Sequence, residues 1–503
     1  MTPTIVIATL AAYIATLFAV AFIAGRNTDN AGYFSGNRRM PWVATAAAMV
    51  SAAMSGVTFI SVPGSVALSG FSYLQMVVGF IIGYIVIAFV LVPLYYKLNV
   101  TSLYEYLDSR FGGKSHRTGA WYFLLSRTLL SALRAYVACT VLQMLLFDRI
   151  GVPFAANAAL FILLVWLYSH RGGVKTVVWV DVLRTLILVG ALGASIALIM
   201  QAEALSISDA IATVTSHPYS KTWFTEDWND SRHLVKQLLA GVFMVVAMTG
   251  LDQDMMQRTL SCRTKGDAQK NLLVGVGLQS IVILLFLILG VLLYIHLEGC
   301  GITSAEGALF PMFTADGQVA ITKPDLVFPY VASHGTLPLA VGVLFVLGLF
   351  ASTYSAAGSA LTALTTSFTI DILRGRERYA ERELTSIRHG VTLGVAVVLA
   401  LLIIAFDKVG NHTIIDTFYS VASYTYGPLL GLFAFGICTR RSVRDRWVPA
   451  VAIAAPLLSL LLDLNSEEWF GGYRFGFEIL IINALLTMAG MAIISRKNRD
   501  KNQ

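Results

Sequence analysis

Ser51-Ala-Ala-Met-Ser-Gly-Val-Thr-Phe-Ile-Ser-Val-Pro-Gly64 reads as a membrane helix that does not run straight. The surrounding stretch, 42–68, is apolar over more than the roughly 20 residues needed to cross about 30 Å of hydrocarbon. Gly56, Pro63 and Gly64 interrupt it, and Ser55, Thr58 and Ser61 set hydroxyls beside the interruption. Backbone groups freed at membrane depth persist only where they are buried in protein or line a cavity. Breaks of this kind place polar ligands near the bilayer midplane. Small residues also let helices approach closely, and both readings stand at this point.

Working outward, the whole chain has the same character. Of its 503 residues 56% are hydrophobic and 13% charged, and the mean hydropathy is +0.71. A soluble domain carries about a quarter charged residues. Thirteen apolar stretches succeed one another at 4–25, 42–68, 73–97, 120–147, 152–169, 174–200, 234–258, 271–297, 337–372, 389–407, 413–438, 447–463 and 475–495. The expectation is one all-α integral membrane domain of about 13 transmembrane helices over residues 1–503. The first stretch, Ile5 to Ala24, lacks a basic start and is followed by Arg26, the reverse of a cleaved leader. With the N-terminus outside, 26 of the 36 Lys and Arg fall in inner segments, 7 in outer segments and 3 within spans. Cytoplasmic loops carry such an excess. The C-terminus is therefore expected in the cytoplasm, and the chain in the cell inner membrane as a multi-pass protein.

The net charge of +7 does not point to nucleic acid, because the basic residues lie in short loops between apolar spans. Cys139, Cys262, Cys300 and Cys438 form no metal-like spacing and no disulfide framework. No phosphate-binding glycine motif is present, so energy is expected from an ion gradient rather than from nucleotide.

Intramembrane polar and charged residues carry the chemistry. Ser352, Ser355 and Ser359 share one helix face at i, i+3 and i+7, and their hydroxyls suit either a hard cation or close helix packing. A charge at mid-span is costly, about 2.5–3.5 kcal/mol on insertion scales. Asp181 and Arg184 stand at i, i+3 on the sixth span, as a local ion pair or with Asp181 facing a cation site. Arg134 sits near the middle of the fourth span, where it requires an anion from the solute or from the protein. Arg127, two turns nearer the inner face, is expected to snorkel. Asp252, beside Gly250, is expected to pair with Arg258. On the eleventh span, Asp416, Tyr419, Ser420, Ser423, Tyr424 and Tyr426 precede Gly427-Pro428, an aromatic cluster suited to a gate or to packing.

Four segments in order then resemble the sodium/solute symporter family: Thr101-Ser-Leu-Tyr-Glu-Tyr-Leu-Asp-Ser-Arg-Phe111, Gly172-Gly-Val-Lys-Thr-Val-Val-Trp-Val-Asp181, Asp252-Gln-Asp-Met-Met-Gln-Arg-Thr-Leu260, and the serine-rich stretch ending Thr369-Ile-Asp371. The resemblance covers nearly the whole chain. It implies the leucine-transporter-like fold: one extra helix (4–25), two inverted five-helix repeats (42–200 and 234–438) and two C-terminal helices (447–495). It implies a principal sodium site of backbone oxygens of Ser51, Met54 and Ser352 with the Ser355 hydroxyl. Ala356 stands where the family usually supplies a further hydroxyl. A second sodium site would correspond to Asp181, Ser355 and Ser359, with Gly358 where another serine is frequent. Its substrate positions fall on Ser55, Thr58, Tyr73, Gln75, Thr249 and Ser420, with Arg134 nearby. An arginine on the equivalent helix holds the carboxylate in sialic-acid transporters of this family.

The function implied is secondary active import of a small polar solute coupled to sodium, with protons as the open alternative and no other cofactor. A sialic acid or a small organic acid leads, and a neutral sugar or polyol follows. A non-transporting sensor is the different class. No convergent His/Asp or His/Glu set points to an enzyme, His412 lying at an outer edge. The expected partners are the small-molecule substrate, sodium and the lipid bilayer, with no nucleic acid and the chain a monomer or weak oligomer.

Overall fold

A computed structural model of the chain describes residues 2–25, 40–98, 102–169, 173–304, 310–314, 317, 319–409 and 414–496. Arg26, Arg38, Arg39, Arg171, His412, Lys497, Arg499 and Lys501 lie outside the described residues, as do Thr101, Gly172 and the side chain of Ser355.

Apolar runs longer than a soluble helix needs form the frame. They are α1 (Pro3–Gly25), α2 (Trp42–Ala53), α3 (Gly56–Gly64), α4 (Tyr73–Leu98), α5 (Gly113–Ile150), α6 (Phe154–Ser169), α7 (Gly173–Ala202), α8 (Leu234–Gly250), α9 (Gln253–Leu260), α10 (Lys265–Gly299), α11 (Leu339–Ile372), α12 (Glu381–Val409), α13 (Ile414–Cys438), α14 (Val448–Leu464) and α15 (Ile479–Ile493). Among the described residues nine helices are long and apolar enough to cross a membrane, or eleven if each bent pair counts as one span. Two shorter apolar helices, Phe154–Leu167 and Ile479–Ile493, coincide with the other two expected spans. Length and composition therefore support nine to eleven crossings directly.

The two bends sit between α2 and α3, at 56°, and between α8 and α9, at 69°. Each falls at the start of one of the two segments expected as repeats. At the first, Met54 and Ser55 turn extended, and the Thr58 hydroxyl accepts the Ser55 backbone N–H at 3.3 Å. At the second, Asp252 turns extended and caps α9 by accepting the Met255 N–H at 3.1 Å. A helix end leaves carbonyls without partners. Here the Tyr95 hydroxyl donates to Gly250 O at 2.9 Å and the Tyr104 hydroxyl to Leu251 O at 3.1 Å.

Glycines set the closest helix contacts, since lipid supplies no hydrophobic drive between helices and backbone approach must. A Cβ on Gly241 would stand 2.2 Å from the Met76 carbonyl, and one on Gly79 would stand 2.3 Å from the Leu238 carbonyl. These backbone contacts lock α8 against α4. Gly56 brings α3 onto α11, where an added Cβ would meet the Thr353 hydroxyl at 2.4 Å. The segment before α11 adds a small antiparallel sheet of Thr303–Ser304, Met312–Phe313 and Val319–Ile321.

Gly241→Leu is expected to force α4 and α8 apart and lower stability by about 1–3 kcal/mol. Thermal unfolding of the detergent-solubilised protein measures it, and an unchanged midpoint removes this contact from the frame.

Candidate functional site

The α2–α3 break faces α4, α5, α8, α10 and α13 around a cavity of about 60 Å³. Met54, Thr58, Tyr73, Tyr84, Arg127, Arg134, Thr249, Gln279, Phe418 and Tyr419 line it, with Phe80, Met244, Val245, Met248, Met255 and Ile283 making much of its wall apolar. Its roof includes Tyr73 and Tyr419, whose hydroxyls are 2.7 Å apart. Above that roof lies a second cavity of about 430 Å³, bordered by Ser69, Arg232, Asp416, Ser420, Ser423, Tyr424 and Asp463. These residues cluster at the end of the bundle expected outside.

Beneath the small cavity is a layer of buried charge. Arg127 pairs with Asp254 and stands 3.6 Å from Asp252 Oδ2, which also accepts the Tyr426 hydroxyl at 2.7 Å. Arg258 reaches Asp181 at 3.0 Å and Asp254 at 3.0 Å, and also donates to Ser359. Ser359 in turn donates to Asp254 at 2.8 Å. Arg184 stands 3.6 Å from Asp181 and donates to the Met54 carbonyl. Three carboxylates, Asp181, Asp252 and Asp254, thus face four guanidiniums, counting Arg134.

The uncompensated charge belongs to Arg134. It is 8% exposed, its Nε has no hydrogen-bond partner, and its guanidinium lies over the Phe418 ring at 4.8 Å. No carboxylate among the described residues pairs with it, and it borders the cavity. Arg232 in the upper cavity differs. It is bound to Asp230 at 2.8 Å and stacked on Phe224, and its hydrogen bonds hold the Asp230 carboxyl below the usual carboxylate range.

Several expectations are corrected by this geometry. Asp252 is paired with Arg127 and Tyr426, not with Arg258, because α9 turns the Arg258 side chain toward α7 and α11. Arg127 does not snorkel but is buried against two carboxylates. Gln75 does not face the cavity: it donates to Arg232 O at 2.8 Å and accepts from Phe224 N–H at 3.2 Å, tying α4 to the loop before α8. Ser420 lines the upper cavity and not the central one. Ser55 caps α3, while Thr58, Tyr73, Thr249 and Arg134 meet at the cavity.

Of the expected cation positions, Met54 O, Asp181 and Ser359 are engaged by arginine side chains. Met54 O and Asp181 are engaged by Arg184, Asp181 and Ser359 by Arg258, and the Ser352 hydroxyl donates to Leu349 O at 2.7 Å. The Ser51 hydroxyl is buried without a partner. Tyr84 and Gln279, joined at 3.3 Å, escaped the sequence reading. An amide in the apolar run Gly277-Leu-Gln279 was the available signal for the second.

A family model described as the sodium:solute symporter family matches residues 33–445. The sodium-coupled monocarboxylate transporter 1 of Homo sapiens is 26% identical over 469 residues, which is 90% of this chain and 70% of that one. The sodium/sialic acid symporter NanT of Aliivibrio fischeri is 26% identical over 498 residues, covering 95% of this chain and 91% of that one. A solved structure of a Na+-coupled sialic acid symporter, outward-open and substrate-bound, superposes with a TM-score of 0.79 at 20% identity, covering 98% of this chain and 99% of that chain. The nucleobase-cation-symport-1 transporter Mhp1 superposes with a TM-score of 0.57 over 93% and 96%. The fold is thus that of the leucine-transporter-like symporters.

Breaking a buried pair strands the remaining charge, at about 3–5 kcal/mol. Arg127→Ala and Asp254→Ala should each lower the thermal midpoint strongly, and the double variant by less than their sum. Strict additivity would show that the two do not stabilise each other.

Proposed function

Because the chain belongs to the sodium:solute symporter family, we propose that it imports a small carboxylate together with sodium by alternating access in the cell inner membrane. It is a transporter and not an enzyme. The observation that carries the substrate class is Arg134: a buried guanidinium, without a carboxylate partner among the described residues, on the wall of the central cavity. A planar guanidinium binds a carboxylate bidentately, and such charge-assisted bonds are the strong ones. The Phe418 ring, 4.8 Å away, supports the guanidinium from one side.

The cavity's size and walls favour a short acid. A water-sized group needs about 10–15 Å³ of such volume, so about 60 Å³ suits a two- or three-carbon acid. Methionine, valine, isoleucine and phenylalanine walls suit an alkyl body, with Thr58, Thr249 and Tyr84 left for one further polar group. A carboxylate-bearing sugar is the second reading. It is favoured by the near full-length similarity to a sialic acid symporter.

In the reading proposed, solute enters through the upper cavity when Tyr73 and Tyr419 part. Its carboxylate meets Arg134 and neutralises the excess charge, which lets the roof close. Sodium acts at the α2–α3 break through Ser51, Met54 and Ser352 backbone oxygens and the Ser355 hydroxyl. Asp181 and Ser359 form the second site together with Ser355. The two segments 42–200 and 234–438 supply the repeats that move against each other, each beginning with a broken helix. Coupling between sodium and solute must be reciprocal.

Uptake into proteoliposomes tests this. An imposed sodium gradient should drive a short monocarboxylate above equilibrium, with a sialic acid competing weakly. Arg134→Ala should weaken uptake about 10- to 100-fold, from loss of a charge-assisted bond. Full activity of Arg134→Ala, or accumulation of a neutral sugar alone, would overturn the substrate class.

A further inference from the structure

The two helix breaks satisfy their freed carbonyls in different ways. At the α8–α9 break the donors are neutral, the hydroxyls of Tyr95 and Tyr104. At the α2–α3 break the donor to Met54 O is the guanidinium of Arg184 on α7. The neighbouring Thr185 donates to Ala47 O of the same helix at 2.8 Å, so α7 is held to α2 at two points. A hydroxyl is enough to satisfy a freed carbonyl, as the α8–α9 break shows. Arg184 adds a full positive charge where none is needed for hydrogen bonding.

That place attracts positive charge. The C-terminal end of α2 carries the negative end of the helix dipole and its unpaired carbonyls. Asp181 adds a carboxylate, with Oδ1 3.6 Å from Arg184 Nη1. Asp181 is also held by Arg258 at 3.0 Å, so it keeps a counter-charge when Arg184 moves. Arg184 itself is 1% exposed. The cation-attracting pocket of the break is therefore filled by a side chain of the protein.

We propose that Arg184 is a tethered cation occupying the carbonyl site of the α2–α3 break, and that free sodium binds there only by displacing it. This rests on the sodium-coupled reading above. Arg184 closes the site to sodium in the conformation described here. Sodium enters when α7 and α2 shift enough for the guanidinium to withdraw toward Asp181. Met54 also lines the central cavity, so the exchange of one cation for the other occurs at the wall of the substrate site.

The test is sodium binding to the purified full chain without substrate, by thermal shift in NaCl against choline chloride. Arg184→Gln retains a donor for Met54 O and leaves Asp181 paired with Arg258. It should bind sodium at least about tenfold more tightly than the wild type, within the range of typical coupling between sites. Arg184→Lys keeps the charge and should stay near the wild type. In Arg184→Ala, millimolar guanidinium chloride should weaken sodium binding again, an effect that a merely structural role for Arg184 does not predict. Equal sodium affinity in wild type and Arg184→Gln overturns the proposal, as does a lysine variant as tight as the glutamine one. If no variant responds to sodium while Arg134-dependent carboxylate uptake persists, the tethered cation falls and the carboxylate reading stands.

Discussion

A helix that breaks inside a membrane must find new partners for its freed carbonyls, and the rest of this structure is arranged around that need. Water is not available to satisfy them, so every donor has to come from a neighbouring helix. Tyr95 and Tyr104 serve the α8–α9 break from α4 and the segment after it. Arg184 serves the α2–α3 break from α7. The glycines at 56, 79 and 241 bring neighbouring helices to backbone contact. The breaks and the close packing belong together: one creates unsatisfied groups, and the other brings helices near enough to satisfy them.

The buried charges follow from the same geometry. Arginines placed among freed carbonyls need carboxylates, and Asp181, Asp252 and Asp254 supply them. Each Asp is shared between two arginines or between an arginine and another donor, so removal of one group affects several. This layer closes the cavity from below. Its roof, by contrast, includes a neutral hydrogen bond between two tyrosines. A neutral hydrogen bond contributes about 1 kcal/mol net and a buried ion pair resists separation by several.

Arg134 stands apart because the layer leaves it out. Its excess charge is tolerable only if the guanidinium is stacked on an aromatic ring and meets an anion at some stage of the cycle. The link from sequence to function passes through this one imbalance, which gives the cavity its sign.

The sequence alone determined the membrane class, the order of the spans, an interruption of the second span beside Gly56 and the arginine at mid-span, whereas Pro63 and Gly64, read as breaks, continue α3. The former are properties of local composition: apolar length, a Gly position, and a charge where lipid forbids it. Thr58, Tyr73, Thr249 and Arg134, which the resemblance singled out, line the central cavity. Pairing was legible only within one helix turn, at Asp181 and Arg184. Asp252 and Asp254 are two residues apart, but the α9 turn sends one toward Arg127 and Tyr426 and the other also toward Arg258. Gln75 and Ser420 read as substrate residues, yet the first ties a loop and the second faces the upper cavity. Only the tertiary structure decided which carboxylates the arginines meet across helices, and that Arg134 pairs with none among the described residues. Those contacts join helices far apart in the chain, and their distances follow from packing angles that no local pattern encodes.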